Sequence, residues 1–325
     1  MQKRLFIAWE TQRRSGELAR QLRCEFHVLD ERAWQRYPRS IWATLNLLRQ
    51  SNPDVLIVQN PSMVLAAVAC VVKVLTGLPV VVDRHTTFLL DRRYPNTPAM
   101  LVFRLLHKFT IRLADITIVT NEFLAGLVRD AGGRPVVLPD RLPEFQHPGS
   151  MTLDGTRNVL LIASHGIDEP IEEAVNAMRS LTQAGVRLYI TGKSSSVRAA
   201  LRRTAPPNVV FTGFLSEEDF IGMLHSVDAV VVLTTAEACM LCGCYEAVAA
   251  GAPLVTSNKK ALRDYFTEAI FVDNTPEGIA AGIGEALANG SHYRERIGLL
   301  RDRLTREWSG QYSHLECAVS GLRRS

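Results

Sequence analysis

One segment in the second half of the chain combines a predicted buried strand, a polar loop and a helix start in an order that suits anion binding. It covers residues 231–257, and its helix is predicted to begin near Gly243. The first turn of a helix offers unpaired backbone N–H groups and the positive end of the helix dipole, which together bind anions such as a diphosphate. We expect Glu246 to lie in this first turn, where its carboxylate can accept hydrogen bonds from the two hydroxyls of a ribose. The alternative is a glutamate that only complements the helix dipole.

Two groups of charged side chains follow predicted strands in the first half of the chain. An acid and two arginines come after the first strand, namely Glu10, Arg13 and Arg14. A later buried strand ends in Asp83, Arg84 and His85. Arginine forms forked hydrogen bonds with phosphate, so these arginines are candidates to bind a phosphate group, with a solvated pair at a helix start as the alternative. A carboxylate or imidazole in such a position is also a candidate general base.

Short apolar runs bounded by turn residues recur along the chain and predict parallel strands covered on both faces by helices. Six runs lie in the first half, at residues 5–8, 26–29, 55–58, 80–82, 116–119 and 136–138. Six lie in the second half, at residues 159–163, 188–190, 209–211, 229–233, 254–256 and 270–272. Helical stretches fall between them, for example 40–50, 63–75 and 99–113. The predicted fold is α/β, with two Rossmann-like doubly wound domains.

A proline-rich stretch at residues 138–150 interrupts this rhythm and predicts an exposed linker. We place the N-terminal domain at 1–145 and the C-terminal domain at 146–325. The closing helical stretch, 291–325, is a candidate to cross back onto the first domain. Because doubly wound sheets bind ligands outside the carboxyl ends of their strands, we expect the active site in a cleft between the two carboxyl edges.

The bulk composition limits the possible classes of protein. A chain of 325 residues suits two domains, and its 47% hydrophobic and 22% charged residues exclude global disorder. A net charge of +4 is too small for the strongly basic surface of a nucleic-acid binder, so no nucleic-acid partner is expected. Six cysteines in a chain of this length do not predict a disulfide framework and favour a reducing, cytoplasmic location.

No targeting or membrane-spanning segment is predicted. The start of the chain runs directly into a strand-like stretch without a cleavage site for a secretory signal. The long apolar segment 61–82 is interrupted by Lys73 and by Gly77-Leu78-Pro79, which leaves each half too short to span a bilayer.

The segment that contains Glu246 resembles the signature of the retaining glycosyltransferases of family 4. In that family a polar loop with a first glutamate leads to a helix with a second one, followed by a small-residue turn, Gly-x-Pro and a strand. Here Glu246-Ala-Val-Ala-Ala-Gly-Ala-Pro-Leu-Val-Thr-Ser is similar to the second half of that signature. The resemblance extends over 189–193, 208–220 and 258–273, most of the second domain.

The resemblance implies a GT-B fold and the transfer of a sugar from a nucleotide-sugar donor to a glycan or lipid-linked acceptor. It implies retention of the anomeric configuration, no metal or other cofactor, and a place in polysaccharide or glycolipid biosynthesis. Such an enzyme would be cytoplasmic, with peripheral association at the inner face of the membrane as one possibility. The helix formed by 99–113 carries Arg104, Lys108 and Arg112 on one face, which suits an anionic membrane surface or a core helix with a basic outer stripe.

The resemblance also implies roles for individual residues. His85 and Glu237 are the catalytic candidates, both expected near the donor sugar. The expected nucleotide-sugar ligands are Glu246, Gly243, Cys242, Thr235, Lys193, His165, Thr191 and Gly192. The expected acceptor or phosphate ligands, Arg13, Arg14, Glu10, Asp83 and Arg84, follow from their position after predicted strands and not from the resemblance. The family typically has glycines after its first strand, where this chain has one, Gly16, and the two arginines.

Two departures from the family pattern bear on these roles. Eight residues separate Glu237 from Glu246, whereas the family has seven, so Ala238 stands at the position of the first glutamate and the Gly-Phe-Gly that follows it is absent. The Arg/Lys pair that the family places after the first strand of the second domain is also absent. His165 and Lys193 are the candidate cations to replace that pair, because a departing phosphate needs a donor.

The sequence contains other motifs, and it allows other functions. Cys239, Cys242 and Cys244 lack a fourth ligand at a zinc spacing, so we expect small buried residues and no metal. Asp168 and Pro170 are typical of a helix N-cap and first helical residue. An inverting GT-B transferase, a nucleotide-sugar epimerase and a non-catalytic GT-B scaffold for a partner transferase are the alternatives. A dinucleotide dehydrogenase is disfavoured because neither domain has Gly-x-Gly-x-x-Gly after its first strand.

Overall fold

The computed structural model describes residues 2–30, 36–60, 62–85, 97–145, 151–193 and 199–324. It divides into two compact units, which we call the N-terminal unit and the C-terminal unit. The N-terminal unit comprises Met1–Asp140 and Trp308–Ser325, and the C-terminal unit comprises Arg141–Glu307. Pro61 and the last five residues of the proline-rich segment, 146–150, lie outside the described residues.

The N-terminal unit contains a six-stranded parallel sheet in the order β2-β1-β3-β4-β5-β6. Its strands are β1 Arg4–Ala8, β2 Glu25–Val28, β3 Val55–Asn60, β4 Val80–Arg84, β5 Ile116–Val119 and β6 Pro135–Val137. Its helices are α1 Arg13–Gln21, α2 Arg36–Ser51, α3 Met63–Thr76, α4 Pro98–Leu113 and α5 Glu122–Asp130. The chain changes direction across the sheet between β1 and β3, so the carboxyl ends of these two strands form the crevice of this unit.

The C-terminal unit contains a second six-stranded parallel sheet, in the order β12-β11-β10-β7-β8-β9. Its strands are β7 Arg157–Leu161, β8 Val186–Thr191, β9 Val209–Gly213, β10 Ala229–Val232, β11 Leu254–Ser257 and β12 Ile270–Val272. Its helices are α6 Ile171–Ala177, α7 Ala199–Thr204, α8 Glu217–Ser226, α9 Cys242–Ala250, α10 Lys260–Tyr265, α11 Pro276–Ala288 and the first part of α12 Gly290–Ser320. Here the direction changes between β7 and β10, and their carboxyl ends form the crevice of the unit.

Both sheets are buried on both faces, as the continuous Val, Ile and Leu runs require. Alternate residues of β1 enter two separate cores, with Phe6 in one and Leu5 and Ile7 in the other. In β7, Leu161 likewise packs into one core and Leu160 into the other. Each of the twelve apolar runs coincides with a strand, so the predicted α/β class with two Rossmann-like units is confirmed.

Helix α3 shows how local sequence sets the length of an element. The Ser62 side chain accepts a hydrogen bond from the backbone N–H of Leu65, which caps the amino end. Gly77 ends the helix in the left-handed conformation with φ 69°, which glycine adopts without strain. Among the described residues, no helix is both long and apolar enough to cross a membrane.

Two local predictions were wrong. Helix α6 begins at Ile171 after Pro170, and no side chain caps it, so Asp168 is not its N-cap. Helix α9 begins at Cys242, so Glu246 is its fifth residue and lies in the second turn rather than the first.

Candidate functional site

The amino end of α9 lies at the crevice of the C-terminal unit. Gly243 is buried there, and a Cβ atom at this position would lie 3.0 Å from Val232 at the end of β10 and 3.1 Å from Ile162 after β7. Glycine therefore lets the helix start approach both strand ends closely. No side chain caps the helix, and the Cys244 N–H donates to the Leu241 carbonyl at 3.0 Å. The helix start therefore places backbone N–H groups and the positive end of its dipole at the crevice.

Glu246 lies one turn further along the same helix and is half-buried. It follows Cys242 by four residues and Gly243 by three, which places these residues on one side of the helix. Helical side chains lean toward the amino end, so the Glu246 carboxylate extends over the first turn. The structure thus places Cys242, Gly243 and Glu246 on one side of α9, with Glu246 one turn further along the helix than expected.

The loop after β10 is held to the loop after β7 by Asp168. The Thr234 hydroxyl donates to Asp168 Oδ2 at 2.7 Å, and the Thr235 N–H donates to the Asp168 carbonyl at 2.7 Å. Thr234 is fully buried and its N–H donates to Ser257 Oγ at 2.9 Å, which adds the end of β11 to the network. Asp168 therefore fixes the walls of the crevice, and Thr235 remains exposed beside it.

Glu237 is held by a cation that the sequence analysis missed. Lys259 Nζ lies 2.7 Å from Glu237 Oε1, with the lysine side chain 19% exposed and the glutamate 75% exposed. Lys259 follows β11 by two residues and precedes α10, so it lies at the same carboxyl edge as α9. The rule that ligands bind at carboxyl ends of strands could have identified it.

The loops after β7 and β8 bring together four predicted residues. Gly192 has φ 107°, and a Cβ atom here would lie 2.6 Å from both the Ala163 carbonyl oxygen and a ring carbon of His165. Thr191 Oγ1 accepts a hydrogen bond from Ala163 N–H at 3.0 Å. Lys193 follows and is exposed. Two candidate cations, His165 and Lys193, therefore flank one glycine that allows only a hydrogen atom in this space.

The three neighbouring cysteines do not share one environment. Cys244 is buried, Cys239 is half-buried and Cys242 is exposed, so the expectation of small buried residues is wrong for Cys242. Burial raises the pKa of the Cys244 thiol to about 12, which keeps it neutral. Within the described ranges no group of three or more His, Cys, Asp or Glu side chains is arranged to hold a metal ion.

Arg14 is enclosed by carboxylates in the N-terminal unit. Its Nε donates to both oxygens of Asp83 at 3.1 Å, its Nη2 to Asp83 Oδ1 at 2.9 Å, and its Nη1 to Asp140. The side chain is only 9% exposed. Burial alone would lower the pKa of Arg14, but the charges of Asp83 and Asp140 raise it above the ordinary value. The structure thus directs Arg14 at two internal acids, whereas Arg13 beside it is exposed.

Asp83 joins Arg14 to His85. The Nδ1 atom of His85 lies 3.5 Å from Asp83 Oδ2, and this nitrogen is buried without a hydrogen bond of good geometry to any described residue. Burial alone would raise the pKa of Asp83, but Arg14 and His85 lower it well below the ordinary value. Asp83 therefore remains ionised and can orient the imidazole through Nδ1.

Arg84 points away from this cluster, toward α4. Its Nη1 lies 2.5 Å from His107 Nδ1 and its Nη2 donates to Thr110 Oγ1 at 2.9 Å, with 4% of the residue exposed. Burial lowers the pKa of Arg84 to about 10, and burial with the charge of Arg84 lowers the pKa of His107 to about 3. The structure does not bring Arg84 together with Asp83 and His85, despite their adjacency in sequence.

Glu10 lies at the crevice between β1 and β3. Its backbone N–H donates to Gln59 Oε1 at 3.2 Å, and its carboxylate accepts from Arg36 Nη2 at 2.8 Å. Gln59 is fully buried at the end of β3, and its Nε2 has no hydrogen-bond partner among the described residues. Glu10, Gln59 and the Asp83–His85 pair thus gather at one edge of the N-terminal sheet.

Comparison with known families matches two domain families to this chain. Residues 5–140 match the glycosyl transferase 4-like domain, and residues 157–289 match the glycosyl transferases group 1 family. The two matches together cover most of the chain, which therefore belongs to the glycosyltransferases and is an enzyme of that class. No curated protein sequence matches it significantly.

Solved structures confirm the GT-B type of fold. A sucrose-phosphate synthase from Thermosynechococcus elongatus matches with a TM-score of 0.75 at 16% identity, covering 98% of this chain and 100% of its own. An α,α-trehalose-phosphate synthase (UDP-forming) from Burkholderia xenovorans, in complex with glucose-6-phosphate, matches with a TM-score of 0.65 at 13% identity. The match covers 88% of this chain and 78% of the synthase chain. A protein described as a UDP-N-acetylglucosamine 2-epimerase from Listeria monocytogenes matches with a TM-score of 0.65 at 13% identity. The match covers 94% of this chain and 95% of the other chain. At these identities the likeness shows the fold alone.

Proposed function

We propose that this glycosyltransferase binds its nucleotide-sugar donor at the carboxyl edge of the C-terminal unit, around the start of α9. The observation that carries the proposal is an uncapped helix start at the topological switch point, with the Glu246 carboxylate one turn along the same helix side. In this arrangement the helix N–H groups receive the diphosphate and Glu246 accepts hydrogen bonds from the ribose. Lys193 and His165, at the ends of the neighbouring loops, supply positive charge to the departing phosphate.

A thermal-shift panel of nucleoside diphosphates and sugar nucleotides tests this donor site. One nucleotide should raise the melting temperature of the wild type, and Glu246→Ala should abolish that rise while keeping the unliganded melting temperature. Glu295→Ala is a matched control, because Glu295 is an exposed acid of α12 in the same unit. Its neighbour Arg294 donates to the Val227 carbonyl just before β10, at the amino end of that strand and away from α9. An unchanged rise in Glu246→Ala would remove Glu246 from the site.

For the reaction, we propose retention without a divalent metal. The bond from the anomeric carbon to the diphosphate breaks, the acceptor oxygen attaches to the same face of the sugar, and the departing phosphate takes the acceptor proton. Glu237, held by Lys259 at the same edge as α9, is the residue of the C-terminal unit that we assign to the donor sugar. His85, next to Asp83, is the candidate of the N-terminal unit for the reaction. Proton NMR of the glycoside as it first forms shows its anomeric configuration and so distinguishes retention from inversion. An epimerase, in contrast, would convert the nucleotide sugar in the absence of any acceptor.

The acceptor is proposed to be a glycan or a lipid-linked glycan bound by the N-terminal unit. Glu10, Gln59 and His85 offer polar groups for sugar hydroxyls at the crevice of that unit. The enzyme would then act in polysaccharide or glycolipid synthesis on the cytoplasmic side of a membrane. Activity on water-soluble glycan acceptors but not on lipid-linked ones would separate the two acceptor classes.

An apolar surface on α3 and α4 supports peripheral association with an anionic bilayer. Exposed side chains on α4 include Leu101 and Leu105, each 60% exposed, and those on α3 include Val74 and Leu75. The exposed Lys108 lies beside them and complements anionic lipid headgroups. A double variant, Leu75→Glu with Leu105→Glu, should lose sedimentation with phosphatidylglycerol vesicles. Phe214→Glu, a change at an exposed residue of the C-terminal unit, should sediment like the wild type.

A further inference from the structure

A cavity of about 940 Å³ lies in the N-terminal unit at the amino ends of its strands, the edge opposite the residues described above. Its walls come from the start of β1, the end of α1 and the last turns of α12 with the residues that follow. Four arginines line it, namely Arg4, Arg23, Arg323 and Arg324. Two acids, Asp54 and Glu316, line it as well, so the walls carry an excess of positive charge.

The two acids of the cavity already have partners. Glu316 receives two hydrogen bonds from Arg4, Nη1 to Oε2 and Nη2 to Oε1, both at 2.8 Å. This forked contact with Arg4 lowers the pKa of Glu316, so the carboxylate stays ionised and neutralises Arg4. Asp54 Oδ2 accepts a hydrogen bond from the backbone N–H of Lys3 at 2.8 Å.

In the described part of the chain, the other three arginines make no hydrogen bond to a carboxylate. Arg323 Nη1 donates only to backbone carbonyls, those of Ser320 and Leu322. Arg324 Nη2 donates to Asn52 Oδ1 at 3.1 Å and to the Pro53 carbonyl at 2.9 Å. Arg23 is exposed. Arg23 is close enough to Glu316 to lower the pKa of that carboxyl, but Glu316 is already bound by Arg4. Three guanidinium groups thus line one cavity with N–H groups available for phosphate oxygens.

The backbone at Arg23 belongs to a Schellman turn that ends α1, in which the Cys24 N–H donates to the Ala19 carbonyl at 2.9 Å. Arg23 follows the end of α1 with φ 53°, in the left-handed conformation that glycine usually occupies after a helix. Asn52, which holds Arg324, is also left-handed with φ 39°. Asparagine adopts this conformation readily, whereas arginine adopts it at a cost in free energy. A strained residue such as Arg23 is often found at a functional site, where its side chain is needed in spite of the backbone. The Arg23 side chain lines the cavity, and a glycine would remove the strain.

We propose that this cavity is a second anion site, which binds a small soluble molecule carrying two or more phosphate groups. The phosphates lie on Arg23, Arg323 and Arg324, and the uncharged part of the ligand lies on Tyr312 and Leu322. The site is separated from the carboxyl edge of the same sheet by the length of β1, about 15 Å for five residues. It is independent of the donor site proposed for the C-terminal unit.

Calorimetric titration of pyrophosphate into the full-length protein tests this site. Wild type should bind pyrophosphate in a salt-dependent manner, because the contacts are electrostatic. Arg23→Gly should weaken that binding by about tenfold or more, as expected for a lost charged hydrogen bond. The same variant should keep or raise the melting temperature of the unliganded protein, because glycine relieves the strained backbone. A purely structural Arg23 would lower that temperature instead.

Further variants test whether the cavity arginines bind pyrophosphate. The pair Arg323→Ala with Arg324→Ala should weaken pyrophosphate binding as Arg23→Gly does. Arg20→Ala should leave it unchanged, because Arg20 is an exposed arginine of α1 that pairs with Glu17 and does not line the cavity. Absence of pyrophosphate binding to wild type, equal affinity in wild type and Arg23→Gly, or loss of binding only in Lys193→Ala would each overturn the proposal.

Discussion

The substitution Asp83→Asn should destabilise the N-terminal unit strongly. Asp83 is fully buried, and it accepts three hydrogen bonds from a guanidinium that is itself 9% exposed. Removing one partner of a buried ion pair costs about 3–5 kcal/mol, because the remaining charge is left uncompensated. In the variant, Arg14 still pairs with the Asp140 carboxylate, so we expect a loss of unfolding free energy at the lower end of this range, about 3 kcal/mol. That loss is a more than hundredfold change in the unfolding equilibrium.

Urea unfolding followed by fluorescence measures this change, with the transition of the N-terminal unit fitted separately from that of the C-terminal unit. For a unit of this size, a loss of about 3 kcal/mol lowers the melting temperature by about 6–12 °C. Asp130→Asn is the matched control, because Asp130 is an exposed carboxylate at the end of α5 in the same unit. A loss below about 1 kcal/mol in Asp83→Asn would refute the buried-pair account.

The pH dependence gives a second readout of the same pair. The folded-state pKa of Asp83 is lowered, so its contribution to stability is present above the ordinary aspartate pKa of about 3.9 and is lost as the pH falls below it. The difference in unfolding free energy between wild type and Asp83→Asn should therefore be constant near neutral pH and shrink below about pH 4. A difference that grows on acidification would contradict the assignment.

Three further predictions concern the proposed site. Gly192→Ala should destabilise the C-terminal unit by about 2–4 kcal/mol in urea unfolding, because φ at this residue is 107° and the new Cβ would lie 2.6 Å from a backbone carbonyl oxygen. Gly284→Ala is the control. Its new Cβ would lie in open space on α11, so it should stabilise the unit by up to about 1 kcal/mol. Lys259→Ala should change the unfolding free energy by less than about 1 kcal/mol, because its partner Glu237 is 75% exposed and water screens the pair. It should lower kcat/KM for the donor about tenfold, and unchanged kinetics would show that the pair takes no part in catalysis. His85→Ala should lower kcat about a hundredfold with normal donor binding, and an unchanged kcat would exclude His85 from the reaction.

The fold could be predicted from the sequence because a parallel sheet buried on both faces leaves a strong pattern. Runs such as 55–58 and 229–233 consist almost entirely of Val, Ile and Leu, and such runs have few alternatives to a doubly wound unit. Gly243 could be placed at a helix start for a similar reason, since the small residue follows a buried strand and a polar loop.

Side-chain partners could not be predicted, since tertiary contacts decide them. Arg14 is adjacent to Arg13 in sequence, but its carboxylate partners come from β4 and from Asp140, far along the chain. Asp168 has the local sequence of an N-cap, yet its carboxylate is used by Thr234 in another loop, and the helix begins without it. Neither long-range contact leaves a periodic signal in the sequence.

The most direct test of the donor site compares a ribonucleotide with its 2′-deoxy form. The thermal-shift panel selects a nucleoside diphosphate, and calorimetric titration then measures the Kd of that nucleotide and of its 2′-deoxy analogue. Wild type should bind the ribose form about tenfold or more tightly than the 2′-deoxy form, because each hydrogen bond to a carboxylate contributes about 1.5–3 kcal/mol. Glu246→Ala should bind both forms weakly and equally. The same preference for ribose in Glu246→Ala and wild type would contradict the central claim that the Glu246 carboxylate binds the ribose.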